Sequence, residues 1–492
     1  MTSLAPQPSH FRRGVTWLGS ATVLARLSNI ASLVFVLRHL DKGALGAASV
    51  VISLTMAVEA FASLGVQTSL VRQAHDRAAE SSLFWLSAIS GTGLCLLMWL
   101  LAPVAAWWFD AGALVALLQV SACKPLLIAL SAIPLHQALR SLDYRKYALL
   151  HLLAGLAEDL TKAALAIAGW GAWSLVLAGV MRGAALLGLC LLFARFVPRP
   201  RLAWAEVRPH LSFGLPSALG VGIGHLAKDI DFLVVGHFGG LTAVGLYRFA
   251  FEFVVTPVEI MLRAVTRASY PILCRVRHDR AQLAQETARL FRTVLLLAGV
   301  ILVVVLLLQA PLTAWLGGGK WQGAQPIVWA LCLGSLWRTL EVALRELYNA
   351  LGRPMWVTAQ VTALLAVLAA ALTLAFVLSP PAQALRVAAC TWSVVACLFA
   401  AVALSITRKL VDGPRGALRR AILEPLAVLA MAAPLPLFLH FSGHWQAWLV
   451  PAQTWGTLAA QLGLVVLFSV LAWGGHQALW RRPRLRHGRK RV

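Results

Sequence analysis

Apolar runs of roughly 20 residues recur along this chain from Val15 to Trp480, each long enough to cross a bilayer's hydrocarbon core as a helix. Inside lipid every backbone N–H and C=O needs a partner within its own segment, which leaves helices and closed barrels as the spanning forms. The runs are continuous and lack strand-like alternation, so the spans read as helical. By the roughly 20-residue hydropathy criterion there are about fourteen, from 15–38 to 454–480. Only 13% of the residues are charged, against about a quarter in soluble domains. The fold class is an all-α integral membrane protein.

The formal net charge of +24 raises the question of nucleic acid, and its placement answers it. Basic residues gather in alternate loops, RQAHDR, RSLDYRKY, RVRHDR and TRKLVDGPRGALRR, and in the tail RRPRLRHGRKRV. The intervening loops FDAG, GWG, HFGGLTA and LSPPAQ hold almost none. The positive-inside rule then puts both termini in the cytoplasm, and the tail reads as an orientation signal in contact with anionic lipid, with no nucleic-acid role. The run after Arg13 is too long for a signal peptide's apolar core and is expected to stay as the first span. The 7 cysteines form no CxxC pair and read as packing residues, with no metal site.

Every loop is too short to hold a soluble core, so any chemistry lies within the bundle. A faint repeat is present: LRHLDKGALG, ending at Gly46, resembles VGHFGGLTAVG, ending at Gly245. An even number of spans separates them, which predicts parallel repeats about an axis along the membrane normal, an arrangement that places substrate at the repeat interface. The expected organisation is two six-helix lobes, 1–197 and 198–410, followed by two further spans and the basic tail, 411–492.

Charges inside the spans are the remaining signal. Arg248, Glu252, Glu259, Arg263 and Arg267 fall on one face of the eighth span at about 100° per residue. Such a stripe faces the bundle or water, because an Arg at mid-bilayer costs at least about 2.5 kcal/mol against lipid. Arg26 lies in the first span, Glu59 in the second, and Lys228, Asp229 and Asp231 in the seventh. Arg338, Glu341 and Arg345 share a face of the tenth. Together they predict a wet cavity with cations in slight excess. Arg248 with Glu252, Glu259 with Arg263, and Lys228 with Asp229 or Asp231 are also at ion-pair spacings. Glu59 is either the partner of Arg26 or a protonatable site. No Walker A, HExxH or GxSxG motif is present, so neither an ATP motor nor a hydrolase is indicated.

The stretch ARLSNIASLVFVLRHLDKGALG from Ala25, the segment from Lys228 to Asp279, and the later GGGKWQGAQPIVWALCLG and ELYNALGRP resemble the polysaccharide flippases of the multidrug/oligosaccharidyl-lipid/polysaccharide (MOP) superfamily, in the colanic-acid and O-antigen exporter branch. The resemblance implies a non-enzymatic, alternating-access transporter of the bacterial inner membrane. Its substrate would be oligosaccharide on polyprenyl diphosphate, with membrane lipids and polysaccharide polymerase or export machinery as partners. On that reading Arg26, Lys228, Arg248, Arg263 and Arg267 meet the diphosphate, whose charge suits bidentate arginine. Glu59, Asp229, Asp231 and Glu252 balance the empty cavity or take a coupling cation, H+ or Na+, and no cofactor is implied. The alternatives are a cation-coupled multidrug exporter and a lipid II flippase of the same fold. A glycan polymerase or ligase would want a larger outer loop than this chain has.

Overall fold

The computed structural model describes residues 8–62, 77–140, 143–193, 198–200, 202–317, 319–411 and 415–432. Among them the regular structure is helical throughout. The helices are α1 (Pro8–His39), α2 (Lys42–Ala62), α3 (Arg77–Trp108), α4 (Leu114–Ser121), α5 (Cys123–Arg140), α6 (Tyr144–Ile167) and α7 (Ala172–Phe193). They continue with α8 (Trp204–Val276), α9 (Arg280–Gly317), α10 (Gln325–Ala350), α11 (Pro354–Leu378), α12 (Pro381–Leu410) and α13 (Arg415–Ala432).

Among the described residues 10 helices are long and apolar enough to cross a membrane. One of them, α8, is two arms joined at Gly240, whose φ of 76° and ψ of 171° break the helix. That backbone region is open essentially to glycine alone. A further helix, α6, is of spanning length yet carries Glu158, Asp159 and Lys162 inside its apolar run. Dividing α8 and admitting α6 reproduces the first twelve expected spans. The thirteenth, near 421–440, overlaps α13 as far as Ala432; its remainder and the fourteenth, near 454–480, lie outside the described residues.

The helices pack as two groups. In the first, α1 lies on α6, α6 on α7, α3 on α5, and α2 against α5 and α7. In the second, α8 packs on α9, α10 and α11, α10 on α12, and α13 on α9. The groups meet chiefly where α2 crosses α8. At that crossing a Cβ on Gly46 would lie 1.8 Å from the Leu241 carbonyl oxygen, and a Cβ on Gly245 would lie 1.8 Å from that of Lys42. Both partners are backbone, so the helices approach this closely only because each presents a glycine. The contact is reciprocal: each glycine meets the carbonyl four residues before the other. These are the two glycines that end the repeated sequence stretches. Phe232, Tyr247, Phe249 and Trp321, all 0% exposed, fill the core beside the crossing.

Candidate functional site

In the second helix group the two arms of α8 join α10 and α11 in lining a cavity of about 230 Å³. Its charged lining is Lys228 from the first arm, Glu259 and Arg263 from the second, and Arg338, Arg345 and Glu346 from α10. Four cations thus face two carboxylates. Leu262, Val342, Val361 and Leu364 supply apolar wall between them.

Local pairing sets the direction of each charge. Lys228 Nζ lies 3.2 Å from Glu259, joining the two arms of α8. The pairings anticipated for Lys228, to Asp229 or Asp231 on its own arm, are therefore replaced by one across the break. Arms running side by side bring together residues that sequence spacing alone keeps 31 positions apart. Arg345 binds Glu341 at 2.6 Å, and Glu341, only 2% exposed, also accepts from Gln360 Nε2 at 2.7 Å. Arg338 stands over the Trp392 ring, 5.6 Å from its centroid.

Arg248 and Glu252 form the expected i,i+4 ion pair. Thr256 Oγ1 donates to the other oxygen of Glu252 at 2.9 Å, and the Arg248 guanidinium lies 5.0 Å from the Phe232 ring centroid. These groups are not among those lining the cavity. Asp231 is fully buried; it accepts the Tyr247 hydroxyl at 3.1 Å and the Phe232 N–H at 2.9 Å. Asp229, also buried, joins Asp231 in attracting Arg248. The seventh- and eighth-span charges thus divide into a cavity set, Lys228, Glu259 and Arg263, and a packed set, Asp229, Asp231, Arg248 and Glu252. Arg267 lies a turn beyond Arg263, exposed and outside the cavity lining.

The first helix group places its charges elsewhere. Glu59 on α2 pairs with Lys124 on α5 at 2.8 Å, which gives Glu59 a partner other than Arg26. Arg26 is exposed on α1 and makes no hydrogen bond or ion pair among the described residues. Nearby, Asp159 on α6 accepts from Asn29 at 3.2 Å, from Ser32 at 3.0 Å and from Lys162 at 3.0 Å. Glu158 beside it takes Arg182 of α7 at 2.9 Å. Sequence reasoning passed over Lys124, Glu158, Asp159, Lys162 and Arg182. The available signal was Glu158, Asp159 and Lys162 within one helical turn of an otherwise apolar run, a placement that demands burial in a polar network.

A family model described as "Polysaccharide biosynthesis protein" matches residues 35–326, more than half of the chain. The chain is 22% identical over 349 residues to the lipopolysaccharide biosynthesis protein WzxC of Escherichia coli strain K12, covering 69% of this chain and 70% of that one. It is 24% identical over 308 residues to the succinoglycan biosynthesis transport protein ExoT of Rhizobium meliloti strain 1021, covering 60% of each, which is less than two thirds of that relative. Among solved structures, the lipid II flippase MurJ in an inward closed conformation superposes with a TM-score of 0.70 at 12% identity over 94% of this chain and 99% of that one. An inward-facing MATE family multidrug transporter of the MOP superfamily gives 0.66 at 14% identity over 79% and 94%. The apolar helices, the family match from the end of α1 to the start of α10 and the fold shared with these two transporters lead to one conclusion: this chain belongs to the polysaccharide biosynthesis protein family and is a multi-pass membrane protein.

Proposed function

We infer that the protein flips polyprenyl-diphosphate-linked oligosaccharide repeat units from the cytoplasmic to the periplasmic leaflet of a bacterial inner membrane, with both termini cytoplasmic. The observation that carries this reading is the α8–α10 cavity, where Lys228, Arg263, Arg338 and Arg345 outnumber the carboxylates Glu259 and Glu346 and the Arg345-bound Glu341 by one. A diphosphate leaving water loses its hydration, and cations held in a partly dehydrated cleft replace it. Arginine does so through a planar fork that matches two phosphate oxygens at once. An organic cation, the substrate class of a drug exporter, would be repelled by the same lining.

On this reading 1–197 and 198–410 are two lobes that meet at the α2–α8 crossing and part there when the Gly240 end opens, and the apolar walls beside Arg338 accommodate the first isoprene units of the lipid. The buried Asp231, with Asp229 and Glu252 near it, is the place in the second lobe where a coupling H+ or Na+ would act. The test is made in a host strain lacking the protein, whose lipid-linked oligosaccharides are extracted and weighed by mass spectrometry. A complete repeat unit on polyprenyl diphosphate should accumulate, and the intact chain should clear it while Arg338→Ala does not. No accumulation, together with new sensitivity to cationic dyes, would overturn the assignment in favour of a drug exporter. Accumulation of lipid II instead would move it to that flippase.

A further inference from the structure

The Gly-Lys-Trp turn between α9 and α10 is spent on the other helix group. Lys320 Nζ donates to the carbonyl oxygens of Arg38 at 2.8 Å and Leu40 at 2.9 Å. Trp321 Nε1 donates to the carbonyl of Leu37 at 3.0 Å. Leu37 and Arg38 belong to the last turn of α1, where helical carbonyls have no intrahelical donor. Side chains of one group thus cap the helix end of the other, and the cation also meets the negative end of the α1 dipole.

Further contacts reinforce the joint. Trp321 is fully buried and stacks on Phe249 of α8, with ring centroids 4.5 Å apart and planes 5° from parallel. Arg38 returns the contact, its guanidinium 5.6 Å from the Trp315 ring of α9. At the end of α3, His237 Nδ1 bonds the Trp108 carbonyl at 2.8 Å; the carbonyl only accepts, so Nδ1 carries the hydrogen. His237 also stacks on the Trp108 ring at 4.4 Å.

All these contacts sit at the Gly240 end of the molecule. Lys228 lies 12 residues before the break, about 18 Å along the helix, so the charged lining of the cavity is well removed from the joint. The buried Trp321 N–H and the partly buried Lys320 ammonium pair only across the interface, which makes such a joint two-state, because parting it leaves carbonyls and donors unpaired together. We propose that Lys320 and Trp321 form a latch that holds the Lys/Arg-poor face of the transporter shut by capping α1 in trans, and that releases these carbonyls each time the lobes part on that face. This rests on the alternating-access reading above.

The test uses the full chain with its native cysteines replaced and with Gly43→Cys and Thr242→Cys introduced. A Cβ on Gly43 would lie 3.9 Å from Thr242 Oγ1 and 3.6 Å from Asp41, ordinary contact distances. Cross-linking of this pair in membranes by a short bis-methanethiosulfonate reports closure without any substrate. Lys320→Met should slow it by about tenfold, the weight of losing hydrogen bonds from a charged donor, and Lys320→Arg, which still donates, should restore most of the rate. Trp321→Phe, keeping the stacking and losing the N–H, should slow it several-fold. The cross-linked protein should not clear lipid-linked oligosaccharide until reduced. Unchanged cross-linking in Lys320→Met, at equal protein in the membrane, overturns the latch, and so does continued clearance by the cross-linked protein. Should the intact chain clear no substrate at all, the flippase reading falls while the cross-linking rates still decide the latch.

Discussion

Glu259→Gln should tighten binding of an anionic lipid. In the present arrangement Lys228 is held 3.2 Å from Glu259, so a diphosphate entering the cavity competes with that carboxylate for the ammonium. At an effective dielectric of about 20 the pair attracts by about 5 kcal/mol. Lys228 is 39% exposed, however, and exposed pairs measured in water retain about 1 kcal/mol or less. Abolishing the competition should therefore lower the dissociation constant about fivefold, given 1.4 kcal/mol per factor of ten. Glutamine keeps the size of the side chain and an oxygen that still accepts from Lys228, so the arms of α8 stay joined. The assay is titration of the purified full chain in lipid nanodiscs with farnesyl diphosphate, followed by calorimetry at two salt concentrations. Arg338→Gln, which removes a cation of the same cavity, should weaken binding by a similar factor. Unchanged or weaker binding in Glu259→Gln would refute the reasoning, because it would mean that Lys228 does not contribute to the anion site.

Gly46→Ala should destabilise the α2–α8 crossing by about 1–3 kcal/mol, the usual cost of overpacking where backbone has to move, read as a lowered Tm in detergent. Asp159→Ala leaves Lys162, whose side chain is 8% exposed, with Glu158 at 3.9 Å as its remaining carboxylate and should cost about 1–3 kcal/mol; pairing it with Lys162→Met should recover most of the loss. Arg26→Ala should change stability by no more than about 0.5 kcal/mol, as for substitutions away from any network, read as a nearly unchanged Tm, so any loss of clearance in that variant reports substrate contact.

Hydropathy alone determined the class of this protein, since a 20-residue apolar run in lipid has one way to satisfy its backbone. It also located the helices closely, and the two repeated stretches pointed to Gly46 and Gly245 before their reciprocal contact was visible. Local spacing gave the Arg248–Glu252 pair, because positions four apart on a helix touch by construction. What spacing could not supply was any partner on another helix or beyond a break. Lys228 meets Glu259 only because Gly240 turns α8 back on itself, Glu59 meets Lys124 only because α2 lies against α5, and Asp159 is satisfied from α1. The Gly-Lys-Trp turn was legible as a motif, yet its task of capping α1 across 280 residues exists only once the two helix groups are brought together. Charges in a membrane interior are satisfied by whichever element the packing presents, so the sequence determined which groups need partners and the tertiary structure decided which partners they have.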